Sequence, residues 1–357
     1  MSGWRAELDA VDAALIDGYQ SGFPLEPRPF RAVGEALGVS AAEALDRVRR
    51  LADDGVFRRF GPVLNPPVIG SSTLAALSVP AGRFDEVAAV VNGHRQVNHN
   101  YRRDHEWNMW FVVTAGSRER RDAVIADVAE RTGLDPLVLP MRTDYYIDLE
   151  FPVVNADGLA GEGAAGGPAD RASTADRVAP TDIAATPAAD LTPLEADLLL
   201  AVQDGMPLTA TPYADVAATV GTDAGTVVET LAGLRERNCV KRVGCVVNHV
   251  RTGFDANCMV VWDVPDGDLD DRGAAVGGLP YVTLCYHRPR RPERDWPYNL
   301  FTMVHGRERD RVAAAVDELA ATELPYDHER LFSTETLKQT GARYEALLST
   351  ADAAADD

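Results

Sequence analysis

The sequence predicts an α+β chain made by tandem duplication, in which each copy joins a winged helix-turn-helix to a βαββαβ sheet of ferredoxin-like order. Two observations carry this. Shifted by 183 positions, the chain matches itself without a gap from Leu8 to Asn65. Leu8 meets Leu191, Phe23-Pro24-Leu25 meets Met206-Pro207-Leu208, Gly38 meets Gly221, and Leu45, Val48 and Leu51 meet Val228, Leu231 and Leu234. Arg59-x-Gly61 then meets Arg242-x-Gly244, and a register shared over that length marks duplication. Beyond it, the apolar spacing in both copies changes from helical periodicity to alternating strands and helices.

In copy one, the periodicity predicts helices over residues 9–19, 31–37 and 41–53. Ser40 is placed to cap the third, and Gly38 falls at the tight turn that a helix-turn-helix requires. Residues 56–60 form the wing. The sheet is predicted from strands 73–79, 97–101, 107–114 and 137–141, with helices over 84–91 and 118–132. Copy two repeats the order with 258–264, 269–276, 282–286, 298–304, 307–322 and an extended piece near Arg330. The stretch 155–189 is rich in Ala, Gly, Pro, Asp and Thr and reads as a flexible linker. The expected domains are therefore 1–62 and 190–246 (winged helix-turn-helix), 63–154 and 247–350 (ferredoxin-like), with the linker letting the halves pair as an intramolecular pseudo-dimer. Further association of the whole chain is left open.

Of the 357 residues, 55 are acidic and 35 basic, a formal net charge of -20 that opposes tight binding to nucleic acid. Lys241 and Lys338 are the only lysines. Such a surface suits a salt-rich cytosol, and GC-rich coding would also give it. No apolar run approaches the roughly 20 residues of a membrane span, and the N-terminal residues lack a signal-peptide core. A soluble, cytoplasmic protein without a membrane partner is expected. Cys239, Cys245, Cys258 and Cys285 match neither a disulfide framework nor a zinc-ribbon spacing.

Two homologous segments stand out from this scaffold. Residues 281–306 hold four arginines, two histidines, three tyrosines, a tryptophan and three prolines between two apolar strands. Residues 97–114 form a shorter counterpart, and both contain Tyr-x-Arg followed by an Asn that opens a strand. An isolated arginine is most often a solvated charge. Clustered beside aromatics in an acidic chain, Arg102, Arg103, Arg288, Arg290, Arg291 and Arg294 instead suit a polycarboxylate, because the planar guanidinium binds carboxylates bidentately and stays charged. Trp107, Trp110, Trp296, Tyr286 and Tyr298 could face a flat ligand, although strand aromatics more often pack the core.

These segments make the chain resemble the sirohaem decarboxylases, whose two homologous subunits share the Lrp/AsnC-type architecture of winged helix plus ferredoxin-like domain. Val97-Asn-His-Asn-Tyr-Arg-Arg-Asp-His-Glu-Trp-Asn-Met-Trp-Phe is similar to the first subunit. Cys285-Tyr-His-Arg-Pro, Asp295-Trp-Pro-Tyr-Asn-Leu-Phe and Leu331-Phe-Ser-Thr are similar to the second, so the chain looks like a fusion of the two. One departure is visible. The second subunit carries Ser-His before Cys-Tyr, where this chain has Thr283-Leu284; copy one keeps a histidine, His99, at the matching place.

The resemblance implies removal of carbon dioxide from two acetate side chains of sirohaem, giving 12,18-didecarboxysirohaem in haem biosynthesis, with no cofactor beyond the substrate's own iron. It implies that the protein must bind carboxylates, strip water from the leaving one and protonate the new carbon. The histidine pKa near 6.5 suits the last task. His99, His105 and His305 are the expected catalytic acids, with Tyr101 and Tyr286 positioning them. His287, Arg102, Arg103, Arg288, Arg290, Arg291, Arg294, Trp296, Tyr298, Asn299 and Asn108 are the expected substrate contacts, and His99 and His287 are the candidates for an axial ligand to the substrate iron. The alternative is a DNA-binding Lrp/AsnC-type regulator that senses a ligand such as haem. Against it, the copy-two recognition helix offers no cation before Arg235, while copy one has Arg47, Arg49 and Arg50 among acidic neighbours.

Overall fold

The computed structural model describes residues 8–147, 159, 181–183, 189–248, 253–254, 256–341, 343, 345 and 348. Copy one begins with α1 (Ala10–Gly18), α2 (Pro29–Leu37), α3 (Ala41–Asp53), β1 (Phe57–Leu64) and the short α4 (Pro66–Ile69). Its sheet domain contains β2 (Ser71–Leu77), α5 (Phe84–Gly93), β3 (Val97–Arg103), β4 (Met109–Ala115), α6 (Arg118–Thr132), β5 (Leu137–Pro140) and β6 (Thr143–Ile147). After β7 (Thr181–Asp182), copy two repeats the helices as α7 (Pro193–Ala201), α8 (Pro212–Val220) and α9 (Ala224–Glu236), then β8 (Val240–Val247). Its sheet domain follows with β9 (Ala256–Trp262), α10 (Leu269–Gly277), β10 (Val282–His287), β11 (Leu300–Gly306), α11 (Arg309–Thr322) and β12 (His328–Gln339).

Local chemistry explains the helix ends. Ser40 accepts from the Glu43 N–H at 3.1 Å to start α3, and Asp9 and Asp12 form a reciprocal capping box on α1. Gly38 and Gly221 end α2 and α8 in left-handed conformations, at φ 71° and 74°, which glycine adopts without strain.

The wing departs from expectation. Each copy supplies one strand, and β1 and β8 pair antiparallel across the two copies, with Phe60 opposite Cys245 and Gly61 opposite Gly244. The helical domains consequently share one core, in which Leu15, Phe23, Phe30 and Phe60 pack with Leu198, Tyr213 and Leu231.

Both sheet domains show the ferredoxin-like strand order, β5-β2-β4-β3 in copy one and β12-β9-β11-β10 in copy two. A reciprocal crossing of last strands joins them, a feature the sequence pattern did not show. β12 pairs with β9 of its own copy through His328–Phe332, then with β3 of the other copy through Ser333–Gln339. In copy one, Met141 and Arg142 separate β5, which stays with β2, from β6, which pairs with β10 of copy two. The outer sheet faces carry their own helices, while the inner faces meet in a mixed cluster of Leu74, Trp110, Leu137 and Leu139 with Met259, Tyr286, Trp296, Phe301 and Leu331.

The linker reading needs correction at two points. Leu159 is buried and bridges Gly306, and Thr181–Asp182 extends the sheet beside β6, followed by Ile183, whose N–H donates to the Arg142 oxygen at 2.8 Å; the other residues of 155–188 lie outside the described residues.

The crossing is tightly packed. A Cβ added at Gly273 of α10 would come within 2.4 Å of the Tyr145 ring, which β6 brings from the other copy. Gly273→Ala should lower the unfolding free energy measured in urea by about 1–3 kcal/mol. Gly82→Ala, whose Cβ meets nothing within 4 Å, should change it little.

Candidate functional site

Strand alternation divides each homologous segment into two faces. On β3, Asn100 donates to Asn92 of α5 at 3.0 Å, and Arg102 lies 4.2 Å over the Phe84 ring, so both face the helices. His99, Tyr101 and Arg103 therefore share the opposite, inner face. On β10 the same alternation gives Leu284, Tyr286 and Arg288, with Cys285 packed toward α10. The duplication thus presents two related inner patches, one with a histidine and one with a leucine.

In the first patch, His99 Nδ1 lies 3.2 Å from the Tyr101 hydroxyl and the rings stack at 6.0 Å. Burial pushes the Tyr101 hydroxyl pKa up, so the group stays protonated at neutral pH. In the second, Tyr286 stacks on Phe301, and the Arg288 guanidinium lies 4.6 Å over the Tyr286 ring. His305 of β11 is buried, with Nδ1 2.8 Å from the Thr283 hydroxyl.

The two Tyr-x-Arg arginines are the most unusual charges in the molecule. Arg103 and Arg288 are each only 6% exposed. Each reaches the opposite copy: Arg103 donates to the main-chain oxygen of Leu331, and Arg288 to that of Leu139. Neither Nε has a hydrogen-bond partner among the described residues, and none of the ion pairs found among those residues includes either arginine. Burial pulls both pKa values below the ordinary arginine value, yet a guanidinium remains charged at neutral pH. A buried cation without a counter-ion costs on the order of several kcal/mol.

Several expected contacts lie elsewhere. Both His105 nitrogens are engaged, Nδ1 accepting from the Trp107 N–H at 2.9 Å and Nε2 facing the Glu329 carboxylate. Arg290 is held by Asp263, Asp266 and the Val264 oxygen; Arg294 by Asp135; and Arg291 donates to the Arg290 oxygen at 3.3 Å. Asn108 and Asn299 each clamp a main-chain N–H and C=O, at Val79 and Val264 respectively, and so orient strand ends. Trp296 is buried among Trp110, Tyr298 and Phe301. His287 and Arg102 face the helices. The arginine-rich loop is therefore largely braced by acids, and the inner patches retain the unneutralised charge.

The sequence reasoning passed over two wing cations, of which only the first reaches an open patch. Arg58 of β1 donates to the Asn248 and Gln339 amide oxygens at 3.3 and 3.2 Å. Its copy-two equivalent under the 183-residue shift, Lys241, instead pairs with buried Asp144 at 2.7 Å. The repeat alignment already placed a cation at both positions, but only the fold brings the wings against the sheets.

Comparison with known proteins is decisive. A family model described as "Siroheme decarboxylase NirDL-like HTH domain" matches residues 12–58 and 195–240, and one described as "AsnC-like ligand binding domain" matches residues 69–145 and 251–338. The "Siroheme decarboxylase NirDL subunit" of Paracoccus denitrificans (strain Pd 1222) is 37% identical over 340 residues, covering 94% of this chain and 97% of that protein. The chain belongs to the siroheme decarboxylase NirDL family. The "Siroheme decarboxylase NirD subunit" of Pseudomonas aeruginosa, from a half-length relative, is 49% identical over 146 residues, 41% of this chain and 97% of that subunit. A crystal structure of the siroheme decarboxylase NirDL superposes with a TM-score of 0.67 at 25% identity, covering 95% of this chain and 96% of that one. The family thus has the same duplicated architecture as this chain.

His287 supplies a pH test of the packing. Burial, aided by Arg142, lowers its pKa from the usual value near 6.5, outweighing the opposing pull of Asp270 and Asp266. As pH falls below about 6.5 the unfolded chain takes up this proton first, so stability falls until the folded pKa is passed. Urea midpoints from pH 7.5 to 4.5 should drop less steeply in His287→Gln than in the wild type; equal slopes would remove His287 from the acid response.

Proposed function

We propose that this protein is a sirohaem decarboxylase that removes carbon dioxide from two acetate side chains of its substrate. The observation that carries this is family membership across 94% of the chain at 37% identity. The inner faces are chemically suited to it, because buried Arg103 and Arg288 offer charge to a polycarboxylate. The only iron in this reading is that of the substrate, and the two inner faces of one chain stand in for two subunits. The reaction makes the protein a carboxy-lyase, and no helix among the described residues is long and apolar enough to cross a membrane. A cytoplasmic location fits this reading.

The arginines hold propionate or acetate groups and thereby fix the macrocycle. Packing by Trp110, Tyr286, Trp296 and Phe301 keeps water from the departing carboxylate, which favours loss of its charge as carbon dioxide. When the C–C bond breaks, its electron pair stays on the methylene carbon, conjugated with the macrocycle, and that carbon takes one proton to become a methyl group. No oxidant or reductant enters. In our reading His99 supplies the proton from its ring, with the Tyr101 hydroxyl orienting it. His305 is the second candidate acid.

The ion pairs of the first recognition helix weigh against a DNA-binding regulator. Arg47 is held by Asp9, Asp12 and Glu43, Arg50 lies 2.6 Å from Asp12, and Arg49 pairs with Asp46 at 3.3 Å. Cations already neutralised in this way offer little to phosphates.

Two measurements test this function. Anaerobic incubation with sirohaem and mass spectrometry of the extracted tetrapyrrole should show loss of two carbon dioxide units, with the rate in His99→Ala reduced about 10²–10⁴-fold. Full turnover in that variant would remove His99 from the chemistry. Gel-shift experiments on genomic DNA at physiological salt should show no sequence-specific retardation, whereas a discrete specific complex would restore the regulator.

A further inference from the structure

The two inner patches are equivalent by duplication and share the Tyr-x-Arg pair, but they differ at the histidine position and at the strand and wing residues around it. In the first, the β12 register places Thr336 opposite Tyr101 and Gln339 opposite His99, and the wing residue Arg58 reaches Gln339. In the second, the β6 register places Asp144 opposite Tyr286 and Ile147 opposite Leu284. A polar Gln–His pair thus becomes an apolar Ile–Leu pair, and both Ile147 and Leu284 pack against the inner core. The wing cation there, Lys241, is one of the two lysines in the chain, and it is tied to an Asp144 side chain only 5% exposed. Arg58 is exposed, and its partners among the described residues are amide oxygens, which leave its charge uncompensated.

We propose that the fused chain has one productive site, on the inner face of copy one, where Arg58 reaches from the wing to hold a substrate carboxylate beside His99, while the Lys241–Asp144 pair and the Ile147–Leu284 contact close the equivalent site of copy two. This rests on the decarboxylase reading. Arg58 is then a substrate-binding residue outside the sheet domain, and the helical half becomes part of the site. In copy two, the buried carboxylate of Asp144 both occupies the equivalent cation and repels any substrate carboxylate that approaches it. A single site would take the two acetates in turn, the intermediate re-entering or turning over between the two losses of carbon dioxide.

Equilibrium titration of the full chain with sirohaem, followed by absorption under anaerobic conditions, reads this directly. One equivalent per chain is expected. Arg58→Gln should weaken binding roughly tenfold, the scale of a charge-assisted hydrogen bond, and Arg58→Lys should recover part of it. The double change Lys241→Gln with Asp144→Asn keeps the net charge of the pair and should leave affinity and turnover unchanged. Unfolding midpoints identify any variant that has lost its fold, and Arg58, being exposed, should keep its own. Two equivalents of matched affinity, or a double variant impaired as much as Arg58→Gln, would overturn the single-site assignment while leaving the decarboxylase intact. A wild-type chain that neither binds nor decarboxylates sirohaem would overturn the function itself.

Discussion

Two guanidinium groups, Arg103 and Arg288, cross between the copies and end on main-chain oxygens of the opposite half, Leu331 and Leu139. Each is buried without a counter-ion among the described residues, where an apolar residue of similar length would fill the space at lower electrostatic cost. The rest of the architecture makes these positions possible. The exchange of last strands brings Leu331 and Leu139 within reach, the paired wings hold the helical domains over the same junction, and the inner aromatic cluster lowers the local dielectric so that a bound carboxylate would be strongly attracted. At a net charge of -20 the chain repels polyanions at long range, but at physiological ionic strength that repulsion fades within about 8 Å, and only the local arginines decide binding.

Much of this was legible in the sequence because duplication repeats its signals. The ungapped match located both helix-turn-helix units, Gly38 and Ser40 marked turn and cap correctly, and α6 has the expected bounds. The crossing of β6 and β12 was not legible, because residues 143–147 mix polar and aromatic groups and pair with β10 of the other copy and with the distant β7. Pairing across such a sequence distance leaves no local period. The single-strand wings were hidden for the same reason.

Some of the residues singled out in the sequence lie on the inner faces. Tyr-x-Arg in both segments pointed to Arg103 and Arg288, and His99 pointed to the copy-one patch. The crowded cations at 290–294 looked alike in the sequence, because composition counts charges and cannot see that Asp263, Asp266 and Asp135 pair with two of them. Conversely, Arg58 and Lys241 looked like ordinary wing residues. Their difference appears only where Asp144 of β6 meets one of them, so that two copies of one ancestral surface have taken on different chemistry.

In the proposed function, buried Arg103 of copy one holds a substrate carboxylate. The most direct measurement is the shift in thermal unfolding midpoint that saturating sirohaem produces, compared between the wild type and Arg103→Met, each against its own ligand-free baseline. Ligand binding to the folded state stabilises it by an amount that grows with the logarithm of ligand concentration over Kd, so at one sirohaem concentration the wild-type shift should exceed that of the variant whatever the variant's own stability. An undiminished shift in Arg103→Met would contradict the account, for the buried charge would then have no part in holding the ligand.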